Sequence, residues 1–323
     1  MIKKIGVMTT GGDAPGMNAV IRSVVRTAIY KHLRVCGIKR GFRGLIDNDI
    51  EELDLHSVSG IINRGGTMLK TIRCPEFKDK KNQREAVEHL RMHSIDAVVI
   101  IGGNGSLAAG ASLYYDWGIP VINIPASIDN DLCYTDYTVG FDTAVNTALE
   151  AIDKIRDTAS SHDRVFVVEV MGRDSGSIAL EVGLASGAEA VILPEVKFNP
   201  EKLCDLLLRG YHRGKKSSIV VVAEGAAQGH EIAKIISAKT ELEVRVSVLG
   251  YMQRGGAPTA FSRALAGRFG KEAVEELIRG KGGRMVGMIG NRVISTDIKK
   301  VLKASKSKKI NMNDYKLIGI LAI

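Results

Sequence analysis

Two carboxylates that stand two residues apart, directly after an apolar run, are the first sign of chemistry in this sequence. Asp129 and Asp131 follow the run that ends at Ala126, within the segment Ser127–Asp131. One such carboxylate can accept a proton from a hydroxyl group, while the other helps to fix a magnesium-bound phosphate. Asp and Asn also favour turns by themselves, so an Asx-type turn without a chemical role is the alternative.

Two glycine-rich segments also follow apolar runs, and both could bind phosphate. They are Thr10–Asp13 and Gly102–Ser106. Glycines allow backbone N–H groups to converge on a phosphate, and a helix that follows adds partial positive charge at its N-terminus. Taken alone, either segment could instead be a tight strand-to-helix turn. Residues 103–108 also satisfy the dinucleotide-binding pattern GxGxxA, so a Rossmann-type oxidoreductase is a remote alternative.

Arginines accompany several of these apolar runs. The guanidinium group binds phosphate oxygens through two parallel hydrogen bonds, which makes arginine well suited to sugar-phosphate recognition. A single surface arginine is usually only solvated, so the inference depends on the whole group. Its members are Arg164, Arg173, Arg245 and Arg254.

Strands that alternate with helices must position these residues. Near-continuous apolar character, typical of strands buried on both faces, predicts strands at Lys3–Met8, Asp96–Ile101, Val121–Ala126, Val165–Val170, Ala190–Pro194, Ser218–Ala223 and Val244–Leu249. Residues 142–159 carry apolar side chains at helical spacing. This alternation predicts an α/β fold with mostly parallel sheets, whose ligands bind beyond the carboxyl ends of the strands.

Composition limits the classes of partner. The chain has 323 residues, which favours two lobes over a single hydrophobic core. A net charge of +9 favours anionic ligands, whereas only 5% aromatic residues argues against a surface that stacks nucleic-acid bases. The four cysteines show no CxxC pairing, which favours a reducing cytoplasm, and no apolar run predicts a membrane span.

Together these segments resemble the bacterial ATP-dependent 6-phosphofructokinase family. The most specific stretches are Ser127–Asp131, Lys154–Thr158, Val170–Arg173 and Leu249–Thr259, and the likeness fades after about Ser295. The resemblance implies two similar lobes, each a mostly parallel sheet flanked by helices. It implies an ATP-binding lobe at residues 1–140 plus 252–300, a sugar-phosphate lobe at 141–251 plus 301–323, and a cytoplasmic homotetramer.

By motif match, the resemblance also implies roles for individual residues in a glycolytic kinase that phosphorylates the 1-hydroxyl of fructose 6-phosphate. Asp129 would be the base, with Ser127 beside it where the family usually has threonine, and Arg173 would steady the transferred phosphoryl group. ATP would be held by Gly12, Arg73, Cys74, Gly103, Asn104, Gly105 and Ser106. The sugar phosphate would contact Ser127, Asp129, Arg164, Met171, Gly172, Arg173, Glu224, Arg245, Tyr251 and Arg254, with Arg164 and Arg245 reaching in from a neighbouring subunit.

A cofactor and an effector follow from the same resemblance. Mg²⁺ would lie at Asn104 and Asp131. An effector such as ADP or phosphoenolpyruvate would bind at a subunit interface through Arg22, Arg26, Arg156, Glu189, Arg213 and Lys215.

Several positions depart from the family pattern. Asn104 stands where the family has an aspartate associated with magnesium, Tyr251 replaces a histidine, and Leu55 replaces an effector-site arginine. Gly105 is retained and no lysine precedes Ser127, which favours ATP over pyrophosphate as donor. Because of Asn104, a weakened or non-catalytic paralogue that binds nucleotide and sugar phosphate as a regulatory partner is the main alternative.

Overall fold

The computed structural model describes residues 2–304 and 308–322, and the chain divides into two compact units. Unit 1 comprises Met1–Thr143 and Arg254–Lys308, and unit 2 comprises Ala144–Gln253 and Lys309–Ile323. Residues 1, 305–307 and 323 of the two predicted lobes lie outside the described part. Which ligand each unit binds stays a prediction.

The described residues form twelve strands and eleven α-helices, numbered in chain order. The strands are β1 (Lys4–Thr10), β2 (Arg34–Ile38), β3 (Ile50–Leu53), β4 (Ala97–Gly102), β5 (Val121–Ser127), β6 (Val139–Gly140), β7 (Val165–Val170), β8 (Ala190–Ile192), β9 (Ser218–Ala223), β10 (Val244–Val248), β11 (Arg284–Ile289) and β12 (Arg292–Asp297). The helices are α1 (Met17–Tyr30), α2 (Phe42–Ile46), α3 (Lys80–Met92), α4 (Asn104–Trp117), α5 (Phe141–His162), α6 (Ser177–Ser186), α7 (Pro200–His212), α8 (Gly229–Thr240), α9 (Ala260–Ile278), α10 (Ile298–Ala304) and α11 (Met312–Leu321). None of the described helices is long and apolar enough to span a membrane.

The predicted α/β fold class is confirmed. Each of the seven predicted strands is present, and the helix predicted at 142–159 is α5. The prediction missed five strands, namely β2, β3, β6, β11 and β12.

Unit 1 is built on an eight-stranded sheet. Its order is β12-β11-β5-β4-β1-β2-β3, with the short β6 paired to β5. All neighbouring strands run parallel except the two edge pairs, β2 with β3 and β11 with β12. Helices α1 and α9 pack against each other and against the sheet. Side chains from β1, β2 and β4 form a separate core with α2, α3 and α4, which includes Met8, Phe42, Leu90 and Ile100.

Unit 2 has a smaller sheet of four strands, all parallel, in the order β10-β7-β9-β8. Its core packs α7 and α8 on the sheet through residues such as Val167, Leu207, Val220 and Ile236. Helices α6 and α11 pack together and against β8. The two units therefore share an architecture but differ in the number of strands.

Local signals in the sequence explain where several helices begin. The side-chain oxygens of Asp79, Asn199 and Thr259 accept backbone N–H groups at the starts of α3, α7 and α9. Helix α4 differs because Gly103 precedes it and supplies no capping side chain. No capping side chain therefore accepts the first backbone N–H groups of α4.

Candidate active site

Three loops meet at one edge of the sheet in unit 1. Strands β1, β4 and β5 are parallel neighbours, so their carboxyl ends lie side by side. Thr10 is paired with Gly102, and Gly102 with Pro125. The two glycine-rich segments and the segment Ser127–Asp131 are therefore brought together, as expected for ligand-binding loops of a parallel sheet.

The turn from β4 into α4 is tight, and glycine is required there. A Cβ atom at Gly102 would lie 2.3 Å from Ser106 Oγ and 2.4 Å from the carbonyl oxygen of Thr10. Ser106 Oγ donates to that same carbonyl over 3.1 Å, which ties the two glycine-rich loops together. Gly105 is exposed and faces open space, so the N-terminus of α4 is accessible to an anion.

Asn104 and Asp131 form the polar centre of these loops. Asn104 Nδ2 donates to Asp131 Oδ2 over 2.7 Å. A carboxylate can only accept, so the amide nitrogen must face Asp131 and Asn104 Oδ1 must face away from it. Asn104 Oδ1 and Asp131 Oδ1 are both buried and have no hydrogen-bond partner.

These two unpartnered oxygens fit a hard divalent cation, because Mg²⁺ takes carboxylate and amide oxygens and keeps several waters or phosphate oxygens as further ligands. Among the described residues there is no group of three or more His, Cys, Asp and Glu side chains that could hold a metal. A magnesium ion at this place would therefore depend on the phosphates of a nucleotide for the rest of its ligands.

Asp129 lies in the same loop and is 6% exposed. Its backbone N–H donates to Ser127 Oγ over 3.2 Å, so the two residues predicted to act together are in contact. A carboxylate that is buried at a strand end, next to two glycine-rich loops, is suited to general-base chemistry on a hydroxyl group.

The other residues predicted to hold ATP also lie in unit 1. Gly12 is in the loop after β1, where Asp13 Oδ1 lies 3.9 Å from Arg254 Nη1. Arg73 is exposed. Cys74 packs against the core beside α2, and burial raises the pKa of its thiol, so it offers an apolar surface and not a thiolate.

In unit 2 a sharp turn after β7 carries Met171, Gly172 and Arg173. Glu224 Oε1 accepts the backbone N–H groups of Gly172 at 3.2 Å and Arg173 at 2.8 Å. Gln253 Oε1 accepts the N–H of Met171 over 2.9 Å. Gly172 and Arg173 have φ values of 145° and 52°, both in the region that favours glycine. Two side chains therefore hold three successive N–H groups and fix the backbone that carries Arg173.

The predicted sugar-phosphate residues are thus divided between the units. Met171, Gly172, Arg173, Glu224 and the exposed Tyr251 belong to unit 2, whereas Ser127, Asp129 and Arg254 belong to unit 1.

Arg164 and Arg245 lie together at the paired strands β7 and β10 of unit 2. Arg164 Nε lies 2.9 Å and Arg245 Nη2 2.5 Å from Glu243 Oε1. The guanidinium group of Arg164, close to the Glu243 carboxyl group, lowers the pKa of that carboxyl group. Glu243 was not predicted, because only Arg245 is near it in the sequence and the fold brings Arg164 to it.

The predicted effector residues are also divided. Arg22 and Arg26 lie on α1 of unit 1, and the other four belong to unit 2. There, Arg156 Nη2 donates to the carbonyl of Ser186 over 2.8 Å, at the end of α6. Glu189 is 4% exposed and its Oε1 lies 2.6 Å from Lys215 Nζ, while Arg213 is exposed. Glu189 and Lys215 thus form an ion pair in unit 2.

A model of the phosphofructokinase family matches residues 4–277 of this sequence. The chain belongs to the phosphofructokinase family. It is 51% identical over 322 residues to proteins named ATP-dependent 6-phosphofructokinase from Bacillus pumilus and Listeria monocytogenes, with 100% of both chains covered. A protein of the same name from Bacillus subtilis is 50% identical over the same length.

Solved phosphofructokinase structures share the fold. The Pichia pastoris phosphofructokinase in the T-state superposes with a TM-score of 0.91 at 32% identity, covering 95% of this chain and 36% of that chain. The Saccharomyces cerevisiae phosphofructokinase gives 0.89 at 31% identity, covering 99% and 48%. This chain therefore spans less than half the length of the two yeast chains. A pyrophosphate-dependent phosphofructokinase from Marinobacter aquaeolei gives 0.83 at 25% identity, covering 97% and 86%.

Membership of the phosphofructokinase family draws attention to two residues that sequence reasoning left without a role. Gln253 holds the turn of Arg173, and Asn130 lies between the two aspartates of the loop after β5. Both were inside segments quoted as specific to the family, so the motifs contained the signal, but only the structure shows which backbone groups their amides contact.

Proposed function

We propose that this chain is a glycolytic kinase that transfers the γ-phosphate of ATP to the 1-hydroxyl of fructose 6-phosphate, giving fructose 1,6-bisphosphate and ADP. The observation that carries the proposal is the loop after β5, where buried Asp129 lies two residues from Asp131, which contacts Asn104. Full-length relatives named ATP-dependent 6-phosphofructokinase, 51% identical, support the same reaction.

Each residue has a chemical task in this reaction. Asp129 accepts the proton of the attacking hydroxyl, and the guanidinium of Arg173 neutralises charge on the transferring phosphoryl group. The N-terminal amides of α4 bind ATP phosphate oxygens. Asn104 and Asp131 would hold Mg²⁺, which supplies charge neutralisation at the β- and γ-phosphates when it is bound.

ATP is the proposed donor because two positions lack the groups found in pyrophosphate-dependent relatives. Gly105 adds no acidic group to the phosphate loop, and Ala126, not lysine, precedes Ser127.

We also propose an oligomeric state and a form of allosteric regulation. We infer a cytoplasmic homotetramer in which Arg164 and Arg245 bind the sugar phosphate of a neighbouring subunit. The effector, ADP or phosphoenolpyruvate, would bind through Arg22, Arg26, Arg156, Glu189, Arg213 and Lys215. Four cysteines without disulfide bonds support the reducing compartment.

The test is formation of fructose 1,6-bisphosphate from ATP and fructose 6-phosphate by the purified full-length protein. Asp129→Ser should lower kcat by roughly 10²–10⁴-fold, the usual contribution of a general base, with ATP affinity within a few-fold of wild type. Asp153→Ser, at an exposed position on α5, is the matched control. A near wild-type kcat for Asp129→Ser would refute the assignment of the base.

The second candidate is a paralogue that binds nucleotide and sugar phosphate without efficient turnover. The observation in its favour is the amide of Asn104, which brings no negative charge to the proposed metal site. If neither the wild-type protein nor Asn104→Asp forms product, while both bind ATP, this candidate is the correct one.

A further inference from the structure

Asn130 separates the proposed base from the proposed metal ligand, and its backbone is unusual. It is 6% exposed and has a φ of 47°, in the left-handed region that asparagine and glycine tolerate better than other residues. Because this torsion lies between Asp129 and Asp131, its value determines the direction in which the chain leaves one aspartate for the next.

The side chain of Asn130 closes the loop that follows. Its Nδ2 donates to the carbonyl of Asp136 over 3.0 Å, and its Oδ1 accepts the backbone N–H of Thr138 over 3.0 Å. Thr138 Oγ1 in turn donates to the carbonyl of Ser127 over 2.5 Å. The amide thus uses both its donor and its acceptor within one buried ring of contacts.

The far side of this loop is attached to other elements of unit 1. The backbone N–H of Asp136 donates to the carbonyl of Met288 in β11 over 2.7 Å. Lys308 Nζ donates to the carbonyls of Thr135 at 2.8 Å and Asp136 at 2.9 Å. Asn130 therefore contacts a backbone segment, at Asp136, that β11 and Lys308 also hold in place.

We propose that Asn130 is a positioning residue, which sets the placement of Asp129 and Asp131 through its left-handed backbone and its two amide hydrogen bonds. This inference rests on the proposed function. Misplacement of a reacting group by about 1 Å can cost about 10²-fold in rate, so the effect of losing these contacts should be large.

The experiment separates backbone from side chain. Asn130→Gly keeps the left-handed backbone and removes both hydrogen bonds, whereas Asn130→Ala removes the bonds and adds strain. We expect Asn130→Gly to lower kcat roughly 10–100-fold, the usual cost of removing a supporting partner, with KM for both substrates changed less. We expect Asn130→Ala to lower kcat in the same way and also to lower the melting temperature. Asn48→Gly, at an exposed asparagine with φ 57°, is the control and should change neither kcat nor the melting temperature.

A readout without turnover makes the result independent of the proposed function. The Mg²⁺ concentration needed for ATP binding, measured by calorimetry on the full chain, should rise roughly 10–100-fold in Asn130→Gly. If wild type lacks turnover but this shift appears, the positioning role stands and the kinase proposal fails.

A double-mutant cycle tests whether the carbonyl of Asp136 couples Asn130 to Lys308. Because Lys308 and Asn130 meet at the carbonyl of Asp136, the effects of Lys308→Met and Asn130→Gly on Mg²⁺-dependent ATP binding should be non-additive. Wild-type kcat and Mg²⁺ dependence in correctly folded Asn130→Gly would overturn the inference, and so would additive effects in the cycle.

Discussion

At the scale of single residues, the hydrogen bond from Asn104 to Asp131 determines the charge of the proposed metal site. The amide lets the two side chains lie 2.7 Å apart without a cation. Two carboxylates at that distance would repel each other unless they shared a proton or bound a cation. Compared with an aspartate, the amide of Asn104 would therefore give the proposed site a stable empty form and a weaker attraction for magnesium.

Asn104→Asp should reverse this balance. We expect the Mg²⁺ concentration for half-maximal rate to fall roughly 10–100-fold, because an anionic ligand replaces a neutral one. In the absence of metal the variant should melt at a lower temperature than wild type. The measurement is a magnesium titration at saturating ATP and fructose 6-phosphate, paired with thermal unfolding in EDTA. Coincident titration curves would show that residue 104 does not belong to the metal site.

At the scale of elements, the turn after β7 depends on the segment after β9. A Cβ atom at Gly225 would lie 1.8 Å from the carbonyl oxygen of Arg173, a distance that no side chain allows. The turn that carries Arg173 can therefore keep its shape only while glycine follows Glu224.

Gly225→Ala should displace this turn and weaken the contacts that Glu224 makes with the backbone of Gly172 and Arg173. We expect kcat/KM for fructose 6-phosphate to fall at least about 10-fold, with the dissociation constant for ATP changed much less. Gly210→Ala is the control, because a Cβ atom added at this position in α7 would meet no atom within 4 Å beyond the adjacent residues and the backbone of its own helix. This substitution should be neutral or slightly stabilising. Unchanged sugar kinetics in Gly225→Ala would mean that the turn does not position the reacting groups.

The elements also show what a sequence can predict. Among the seven strands found in advance, every residue of β1, β4 and β9 is buried. Strand β10 is only partly buried, but its three valines give it the β-branched character that predicts a strand. Edge strands β3 and β12 were missed because they are only partly buried and carry charged residues, as in the run IEEL. Strand β11 was missed because its apolar run is short, begins after Arg284 and is interrupted by Gly287.

The candidate site was also predictable in part. Asp129, Asp131 and the glycine-rich loops were predictable because residue type and position after a strand indicated them. The contacts of Asn130 and Gln253 were not predictable, because residue type alone does not show which backbone group an amide will contact. Asn130 contacts the carbonyl of Asp136, six residues away, and Gln253 contacts the N–H of Met171, eighty-two residues away.

At the scale of the whole molecule, Lys308 makes stability depend on pH. Burial lowers the pKa of its amine from 10.5 to about 8, with Asp136, Cys133 and Asp131 opposing the shift. Between those two values the unfolded chain binds more protons than the folded one, so the free energy of unfolding rises with pH. One pKa unit corresponds to about 1.4 kcal/mol, which sets an upper limit of roughly 3 kcal/mol for this group.

Lys308→Met should remove that dependence. The difference in unfolding free energy between wild type and variant should change by about 1–3 kcal/mol in favour of wild type as the pH rises from 8 to 10.5. Urea unfolding at several pH values measures it, and groups common to both proteins cancel. Parallel pH profiles would show that Lys308 titrates normally in the folded chain.

The pairing of α1 with α9 has a consequence for biosynthesis. Ser23 Oγ donates to the carbonyl of Gly267 over 2.7 Å, yet about 230 residues separate the end of α1 from the start of α9. At typical bacterial and eukaryotic translation rates, α1 leaves the ribosome on the order of ten to fifty seconds before its partner helix. The strands of unit 2 are all synthesised within that interval. The face of α1 that contacts α9, which includes Ser23, is therefore without that partner until after β10 is complete. Ribosome-stalled chains that end before Ala260 should show α1 cleaved by protease or crosslinked to chaperones, and chains that extend beyond α9 should show it protected. Protection in the shorter chains would mean that another segment covers α1 during synthesis.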